Sequence, residues 1–515
     1  MISNLGLKFI DLTKKIQNNK AFIINNRYIT FNSLNRDSDK ICNWLLKKKF
    51  KVSDIVCISS EKNFFNFTLI IALLKMGITY VVLDRKSPAK RLNQIITQVN
   101  PKAIIVSQKN LLQIKTKKIL FKKDINFKIK NKNKDFLKNY ISNVPSATIA
   151  YLMFTSGSTG VPKGVAISHS KLLSFSAWCK ENFKIQHTDR ATNINPLFFD
   201  NSVFDIYGSL FNGACLIPLS RNEIINPIVA IKKLNQNRVT LWFSVPSLIT
   251  YFQKFSMINK KNLPSLKKII FGGEGFVKKN LKNLFYNFNK KINLYNVYGP
   301  TECTCICSSY KITNFDFSQR EMKRLAPFGK NLAKNFKNLI LDEKNKKTIN
   351  GKIGELYIGG DNVGDGYYNL PEETKAKFIQ NPEHNLYTDI YYKTGDLVYR
   401  DKKNKLIYFS SRKDNQIKLN GYRIELDEIE NNICLISGIK ECAVTFGKKN
   451  KENEITAWVD TRLSEISVFR ELSKALPNYM IPKIFFCVSS IPKNSNGKID
   501  RKVLKRKYYD RKKNN

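Results

Sequence analysis

The run Tyr151-Leu-Met-Phe-Thr-Ser-Gly-Ser-Thr-Gly-Val-Pro-Lys-Gly-Val-Ala-Ile-Ser-His169 begins apolar, opens into Ser, Thr and Gly, and closes apolar. It reads as strand, phosphate loop, strand. Gly157, Gly160 and Gly164 let the backbone approach an anion with successive N–H groups turned inward. Thr155, Ser156, Ser158 and Thr159 add hydroxyl donors, and Lys163 adds a mobile positive charge. A polyphosphate suits that donor set. The stretch is not a Walker A loop, because no Gly-Lys-Ser/Thr follows a Gly at the required spacing. Taken alone, it also fits a Gly/Ser-rich surface turn.

Upstream, strands alternate with helices. A helical pattern over 34–46 leads to Ile55-Val-Cys-Ile-Ser59, an apolar helix over 64–76, the strand Tyr80-Val-Val-Leu83, a turn at Ser87-Pro88, a helix, and Ala103-Ile-Ile-Val106. That alternation implies parallel sheet and a layered α/β fold. Residues 107–145 are Lys- and Asn-rich with poor periodicity and read as a surface excursion.

Downstream, a helix is expected over 170–180 and a strand over 191–196, followed by Phe198-Phe-Asp-Asn-Ser-Val-Phe-Asp-Ile-Tyr-Gly-Ser-Leu210. Asp200 falls where an apolar strand meets an apolar helix; its carboxylate either caps the helix or meets a cation. Three further strand ends carry polar groups: Leu241-Trp-Phe-Ser-Val-Pro246, Lys268-Ile-Ile-Phe-Gly-Gly-Glu274 and Leu294-Tyr-Asn-Val-Tyr-Gly-Pro-Thr-Glu302. In open α/β sheets ligands bind beyond such ends. Gly272 and Gly273 permit close approach of a flat ligand, Tyr298 offers an aromatic face, and Glu302 suits a hard cation. Polyphosphate, divalent metal and aromatic base together describe a nucleoside triphosphate, although singly a solvated Glu and a core Tyr would explain the last two.

The stretches 351–360 and Tyr391-Tyr-Lys-Thr-Gly-Asp-Leu397 look β-rich. Asp396 is placed to accept two hydrogen bonds from a ribose diol, while Thr-Gly-Asp in isolation is more often a plain turn. Residues 409–415 are polar and non-periodic and mark a linker. A helix over 424–435, strands over 441–446 and 455–459 and a helix over 467–475 then make a small α+β domain of about 100 residues. Near the end, Ile491-Pro-Lys-Asn-Ser-Asn-Gly-Lys-Ile-Asp-Arg501 presents Lys498 at a loop tip, the way a residue is delivered into another domain's cleft.

At 515 residues the chain exceeds a single core and implies two or three domains. Its 88 Lys+Arg against 41 Asp+Glu give +47, a balance that raises nucleic acid or an anionic membrane as partner. The lysines, however, are interleaved with Asn and Ile along the whole length, as in Lys134-Asp-Phe-Leu-Lys-Asn139, with no single stripe and no nucleic-acid module. A solvated basic surface is the simpler account, so no nucleic-acid partner is expected. Several of the ten cysteines sit in apolar runs (Cys42, Cys57, Cys215, Cys434, Cys487), and the first residues lack a basic, apolar leader. Reduced, buried thiols and a cytoplasmic address follow as expectations. Cys303, Cys305 and Cys307 would share one face of a strand; a metal site needs better spacing and a fourth ligand, and only three His are present. The longest apolar run, 67–74, is too short to span a membrane.

Taken together these segments closely resemble the acyl-adenylate-forming superfamily, and within it the amino-acid adenylation domains of nonribosomal peptide synthetases and the ligases that load D-alanine on a carrier protein. The match runs from Ile29-Thr-Phe to Lys502. It includes the Thr-Ser-Gly-Ser-Thr-Gly-x-Pro-Lys-Gly loop, Asn-x-Tyr-Gly-Pro-Thr-Glu, Tyr-Lys-Thr-Gly-Asp-Leu, Arg-Lys-Asp-Asn-Gln-Ile-Lys-Leu-Asn-Gly-Tyr-Arg-Ile-Glu, Leu-Pro-x-Tyr-Met-Ile-Pro and Asn-Gly-Lys-Ile-Asp-Arg. The resemblance implies a large domain over 1–411 of layered α/β subdomains plus a β-rich subdomain, a hinge at 412–414 and a small mobile domain over 415–515.

By the same resemblance ATP and Mg²⁺ are the cofactors. The loop from Thr155 to Lys163 would hold the β- and γ-phosphates, and Tyr298 and Gly273 would flank the adenine, with Glu274, Asn296, Gly299 and Thr301 completing the nucleotide site. Glu302 would take Mg²⁺, Asp396 with Arg412 would bind the ribose, and Lys498 would bridge the substrate carboxylate and the α-phosphate. Asp414 matches the hinge, on which Lys498 is exchanged for the loop around Gly421 that borders a pantetheine channel. Ser411 stands where the family usually has Gly, a change conservative in size. Asp200 matches the anchor for an α-ammonium group, and Asn201, Phe204, Ser244, Ile270, Gly272, Val297, Cys305 and Ile306 would line the side-chain pocket. Phe204 and Val297 narrow it, and Ser244 or Asn201 would add a polar contact, favouring a small side chain.

The expected activity is adenylation of an amino acid, followed by transfer to the phosphopantetheine thiol of a separate carrier protein, since the adenylation unit fills the chain. Carrier proteins tend to be acidic, so part of the +47 would steer docking. Delivery of an acid to coenzyme A is the alternative that Asp200 argues against; a non-catalytic binding protein of the same fold is the one that Lys163, Glu302, Asp396 and Lys498 argue against.

Overall fold

The structure, a computed structural model, describes residues 2–107, 119–125, 134–157, 160–319, 321–329, 336–449, 452–493 and 499–511. Two large sheets carry the first part of the chain. One has eight strands in the order Ser308–Lys311, Asn293–Tyr298, Lys268–Gly272, Leu241–Ser244, Arg190–Asn193, Cys215–Pro218, Lys20–Ile24, Arg27–Thr30, parallel except at its two edges. Pairing of Ser244 with Phe271 and of Gly272 with Val297 brings three neighbouring carboxyl ends to one level. The other has six strands in the order Ile119–Phe121, Ala103–Val106, Ile55–Ser59, Thr79–Leu83, Ile149–Thr155, Lys163–Ser168, with only the last pair antiparallel.

The helix Phe64–Met76 is buried along almost its whole length and contributes to the largest core, which draws on both sheets. Its all-round apolar sequence, Phe-Phe-Asn-Phe-Thr-Leu-Ile-Ile-Ala-Leu-Leu, suits a position between layers. A helix that periodicity did not single out, Leu5–Lys15, is capped by Asn4 and tied down where the Leu5 N–H donates to His169 Nδ1 at 3.1 Å.

A five-stranded antiparallel sheet follows, in which Ile390–Arg400 pairs with Ile353–Gly360 on one side and with both Phe378–Gln380 and Ile407–Arg412 on the other. From Gln416 onward the chain builds a separate layer: the hairpin Gln416–Leu419/Tyr422–Glu425 and a three-stranded sheet. The helices Leu426–Cys434 and Glu465–Ser473 cover one face with Ile429, Ile433, Val468 and Leu472, and Arg501–Arg511 covers the other with Leu504 and Tyr508.

Three local expectations need correcting. Within 107–145 the chain forms the strand Ile119–Phe121 and the helix Lys134–Ser142, because apolar residues there do find the sheet edge and the core. Residues 198–200 form no strand; the short turn Asn201–Val203 passes into a π-helix, Phe204–Ser209. Cys303 to Cys307 are not strand either. The chain reverses there to build the antiparallel edge Ser308–Lys311, and Thr304 and Cys305 take φ of 55° and 72°. No helix among the described residues is long and apolar enough to cross a membrane.

Candidate active site

The carboxyl ends of Leu241–Ser244, Lys268–Gly272 and Asn293–Tyr298, the loop after Ile149–Thr155 and the hairpin Gln416–Glu425 enclose one cleft. Thr155, Ser156, Asp200, Asn201, Gly272, Gly273, Val297, Gly299, Thr301, Cys305, Ile306, Asp396 and Arg412 line it. The sequence had also placed Phe204, Ser244 and Ile270 on the pocket wall; in the structure all three are fully buried, and Phe204 packs its ring against that of Phe243, which faces the cleft. The hydroxyl of Ser244 accepts a hydrogen bond from Trp242 Nε1 at 2.8 Å and donates its own to the Val245 carbonyl at 3.3 Å, so both roles are engaged away from the cleft. For Ser244 the difference is one of strand parity, since adjacent residues of Leu241–Ser244 face opposite sides, whereas Ile270 pairs with Phe243 and shares its core cluster, and is buried there.

The loop is built for close approach. A Cβ on Gly157 would fall 2.2 Å from the Val161 carbonyl oxygen, and Gly160 has φ of 83°. Gly157 donates its N–H to Glu428 Oε2 at 3.2 Å, and Ser156 Oγ donates to the Arg423 carbonyl at 3.0 Å. Lys163 Nζ lies 5.5 Å from the Tyr367 ring centre. Ser158 and Thr159 lie outside the described residues. Gly272 and Gly299 also have no room for a side chain, each Cβ falling 2.4 Å from a carbonyl oxygen, of Val297 and Cys305 respectively.

Charged groups meet around this frame. Asp200 does not cap the turn after it; its Oδ2 accepts from Thr301 Oγ1 at 2.6 Å, and burial holds its carboxyl above the usual range. Glu302 has 0% of its surface exposed. Burial pushes its pKa up, but the Arg423 guanidinium at 2.7 and 3.0 Å and the Tyr367 hydroxyl at 2.8 Å outweigh that and hold it below the usual range. Asp396 accepts from Tyr298 Oη at 2.6 Å and from Arg412 Nη1 at 2.8 Å. Arg412 also forks onto both oxygens of Asp414, at 2.6 and 2.9 Å, so one guanidinium joins the expected ribose carboxylate to the expected hinge. Burial raises the Asp414 pKa, and Arg412 more than reverses it, leaving it low.

Tyr298 stacks on Phe328 with centroids 3.9 Å apart, and Asn296 steadies that loop through the Pro327 carbonyl at 2.8 Å. Lys418 Nζ stands 5.7 Å from the Tyr298 ring centre, and burial lowers its pKa. Glu274 takes the Ser247 N–H at 3.1 Å and the Gly421 N–H, linking the hairpin to the large sheet. Lys498 lies outside the described residues. Its flanks, Lys493 and Ile499, form an isolated bridge, and Ile499 packs against the cluster that holds Trp458, on the sheet face opposite the Leu426–Cys434 helix. Sequence reasoning named Gly421 but passed over Lys418, Arg423, Glu428 and Arg91, which become legible only once the hairpin is docked. Among the described residues no group of three or more His, Cys, Asp or Glu could hold a metal ion by itself.

The strand ends thus enclose a cleft with a glycine-dependent loop on one side and the carboxylates of Asp200 and Asp396 on its wall. The AMP-binding enzyme family matches residues 12–368, and the chain belongs to that family, the AMP-forming ligases. Along nearly its whole length it is similar to the D-alanine–D-alanyl carrier protein ligases: 31% identical to that of Bacillus cytotoxicus over 497 residues, covering 94% of this chain and 95% of the relative. The corresponding ligase of Bacillus cereus is 30% identical over 501 residues, with the same coverage. The fold is shared with the Vibrio cholerae adenylation domain AlmE, solved with glycyl-adenosine-5'-phosphate, at a TM-score of 0.84 and 22% identity over 99% of this chain and 98% of that one.

Proposed function

We propose that the chain adenylates a small amino acid, D-alanine or one close to it, and transfers it to the phosphopantetheine thiol of a separate carrier protein. The observation that carries this reading is the joint placement of the Asp200 carboxylate, the Gly157 loop and Asp396 on one cleft. Its relatives' name supplies the amino acid and the carrier. Val297, Cys305 and Ile306 leave an apolar wall beside Asp200, which suits a short side chain.

In the first half-reaction the substrate carboxylate attacks the α-phosphorus of ATP and pyrophosphate leaves, so the protein must neutralise charge and hold an in-line geometry. Asp200 fixes the α-ammonium group, Asp396 with Arg412 the ribose, and Lys163 with the loop the leaving phosphates. Tyr298 and Gly273 border the base. Lys498, brought in from the small domain, bridges the two anions. Glu302 fits a divalent cation: it is a fully buried carboxylate that here already holds a positive counter-charge, Arg423. Bound there, Mg²⁺ would offset phosphate charge.

A boundary at 412–414, with Asp414 as the hinge, is supported by the separate core beyond Gln416. With Gly421 and Lys418 on the cleft, the arrangement corresponds to the second half-reaction, in which a thiol approaches past the hairpin. The test is ATP-dependent aminoacylation of a phosphopantetheinylated, acidic D-alanyl carrier protein, read by intact mass. A mass increase of one alanyl group, absent with coenzyme A as acceptor, supports the reading; acylation of coenzyme A alone refutes it.

A further inference from the structure

Cys434 ends the helix Leu426–Cys434, and Cys442 lies on the strand Ile439–Lys449 that follows across a turn at Gly438, whose φ is 88°. Their sulfurs stand 3.4 Å apart. Both are free thiols, but of unequal access. Cys434 is exposed, against the burial expected from its apolar run, whereas Cys442 keeps 4% of its surface. Cys442 donates its S–H to the Glu430 carbonyl at 3.3 Å, which leaves the Cys434 S–H to donate between the two sulfurs. Burial pushes the Cys442 thiol up, with Cys434 and Glu430 adding to that and Arg501 opposing it, so at neutral pH it holds its proton.

An exposed thiol touching a buried one divides the work of disulfide formation: the accessible sulfur attacks and the buried one resolves. A disulfide bond is about 2.0 Å long, so the sulfurs must close by about 1.4 Å, an approach that rotation about χ1 supplies. Closure also removes the S–H that Cys442 gives to the Glu430 carbonyl. Glu430, one helical turn before Cys434, anchors more than that thiol. Its Oε1 and Oε2 accept from Arg501 Nη2 at 2.6 and 2.8 Å, and Oε1 takes the Val444 N–H at 2.6 Å. Arg501 opens the helix Arg501–Arg511, three residues beyond Lys498 in the chain.

We propose that Cys434 and Cys442 are a modification site, oxidised by a small-molecule disulfide such as glutathione disulfide to an intrachain bond that disturbs the Glu430–Arg501 anchor. The Cys434 sulfur attacks one sulfur of glutathione disulfide, whose S–S bond breaks, and the first glutathione leaves carrying the Cys434 proton. The Cys442 sulfur then attacks the Cys434 sulfur of the mixed disulfide, and the second glutathione leaves with the Cys442 proton. Two protein thiols thus give two electrons and two protons to one disulfide, which ends as two thiols. The consequence for activity rests on the role proposed for Lys498. A displaced Arg501 shifts the base from which that lysine is delivered, and a misplacement of about 1 Å costs up to about 100-fold in rate.

The test treats reduced full-length protein with excess glutathione disulfide, alkylates the remaining thiols under denaturing conditions, and reads intact mass and linked peptides. The parent should carry two fewer alkyl groups than the reduced protein and yield a peptide pair joined at Cys434 and Cys442. Cys442→Ser should retain one glutathione on Cys434, and Cys434→Ser should gain neither bond nor adduct at Cys442. Pyrophosphate exchange by the oxidised parent should fall about 10-fold or more and return with dithiothreitol, while treated Cys434→Ser stays within about 2-fold of its untreated rate. Glutathione that persists on Cys434 of the parent, a bond to any other cysteine, or no reaction at all overturns the site. A joined pair with unchanged exchange overturns its link to Arg501. Absence of exchange in the reduced parent refutes the functional reading instead, and the mass measurement still decides the disulfide.

Discussion

Asp200→Asn removes one charge and almost no volume, which makes it the cleanest probe of substrate class. The Thr301 hydroxyl that donates to Asp200 Oδ2 at 2.6 Å can donate equally to an Asn carbonyl oxygen, so the turn should persist. What is lost is the charge opposite the substrate ammonium. Removing one partner of a buried, hydrogen-bonded charge pair costs about 2–5 kcal/mol. Asp200 is only half-buried by surface, so the lower part of that range applies, about 2–3 kcal/mol. At about 1.4 kcal/mol per factor of ten, kcat/KM for the amino acid should fall about 30- to 150-fold. The assay is pyrophosphate exchange run in parallel with alanine and with propionate, which lacks the ammonium group and should change less than about 3-fold. Burial raises the Asp200 pKa, so its charge is present above that raised value and lost as pH falls through it. The acidic limb of kcat/KM for alanine should accordingly lie above the ordinary carboxylate range and flatten in the variant. Equal losses for alanine and propionate would refute the role given to Asp200.

Gly157→Ala should displace the anion loop, because the new Cβ would fall 2.2 Å from the Val161 carbonyl; overpacking of about 1–3 kcal/mol translates into a roughly 10-fold or greater loss of exchange, checked at saturating amino acid. Arg412→Ala leaves Asp396, only 3% exposed, without its cation and should cut kcat/KM for ATP about 100-fold or more, with Arg412→Lys restoring little because one ammonium cannot span Asp396 and Asp414. His169 is held neutral by burial, its pKa lowered to about 4. Its folded pKa lies below the unfolded value, so the stability it permits is full above about pH 6.5 and is lost progressively as pH falls toward 4, by about 3 kcal/mol in all. Urea titrations at pH 7 and pH 5 should show a stability drop about 2 kcal/mol smaller in His169→Asn than in the parent, and equal drops would contradict it.

The fold was legible where a local pattern has a single outcome. The stretch 151–169 could only be strand, loop and strand, and 64–76, apolar on every side, could only be an interior helix. Gly272 and Val297 meet at one cleft because neighbouring parallel strand ends finish together, and Asp200 and Asp396 reach the same cleft from the turn before Asn201–Val203 and from the antiparallel sheet. What stayed hidden depends on parity or on distance. Ser244 lies one residue out of phase with the surface of the cleft, and Phe204 and Ile270 share the core cluster of Phe243 but are fully buried, differences that sequence spacing does not fix. The alternation of Cys303, Cys305 and Cys307 imitates a strand because each thiol is buried, although the chain between them reverses. Arg91 is one of 88 basic residues and Glu428 one of 41 acidic ones, and nothing local marks them as the ion pair they form at 2.6 Å. The pairing exists only because the C-terminal layer docks on the cleft.

The central claim is that this cleft activates an amino acid. Exchange of labelled pyrophosphate into ATP, run over the common D- and L-amino acids with a few fatty and aryl acids, tests it most directly, with Lys498→Ala as the control. The account predicts exchange with one small amino acid, D-alanine foremost, reduced about 100- to 1000-fold in the variant. Exchange supported only by acids without an amino group would contradict it.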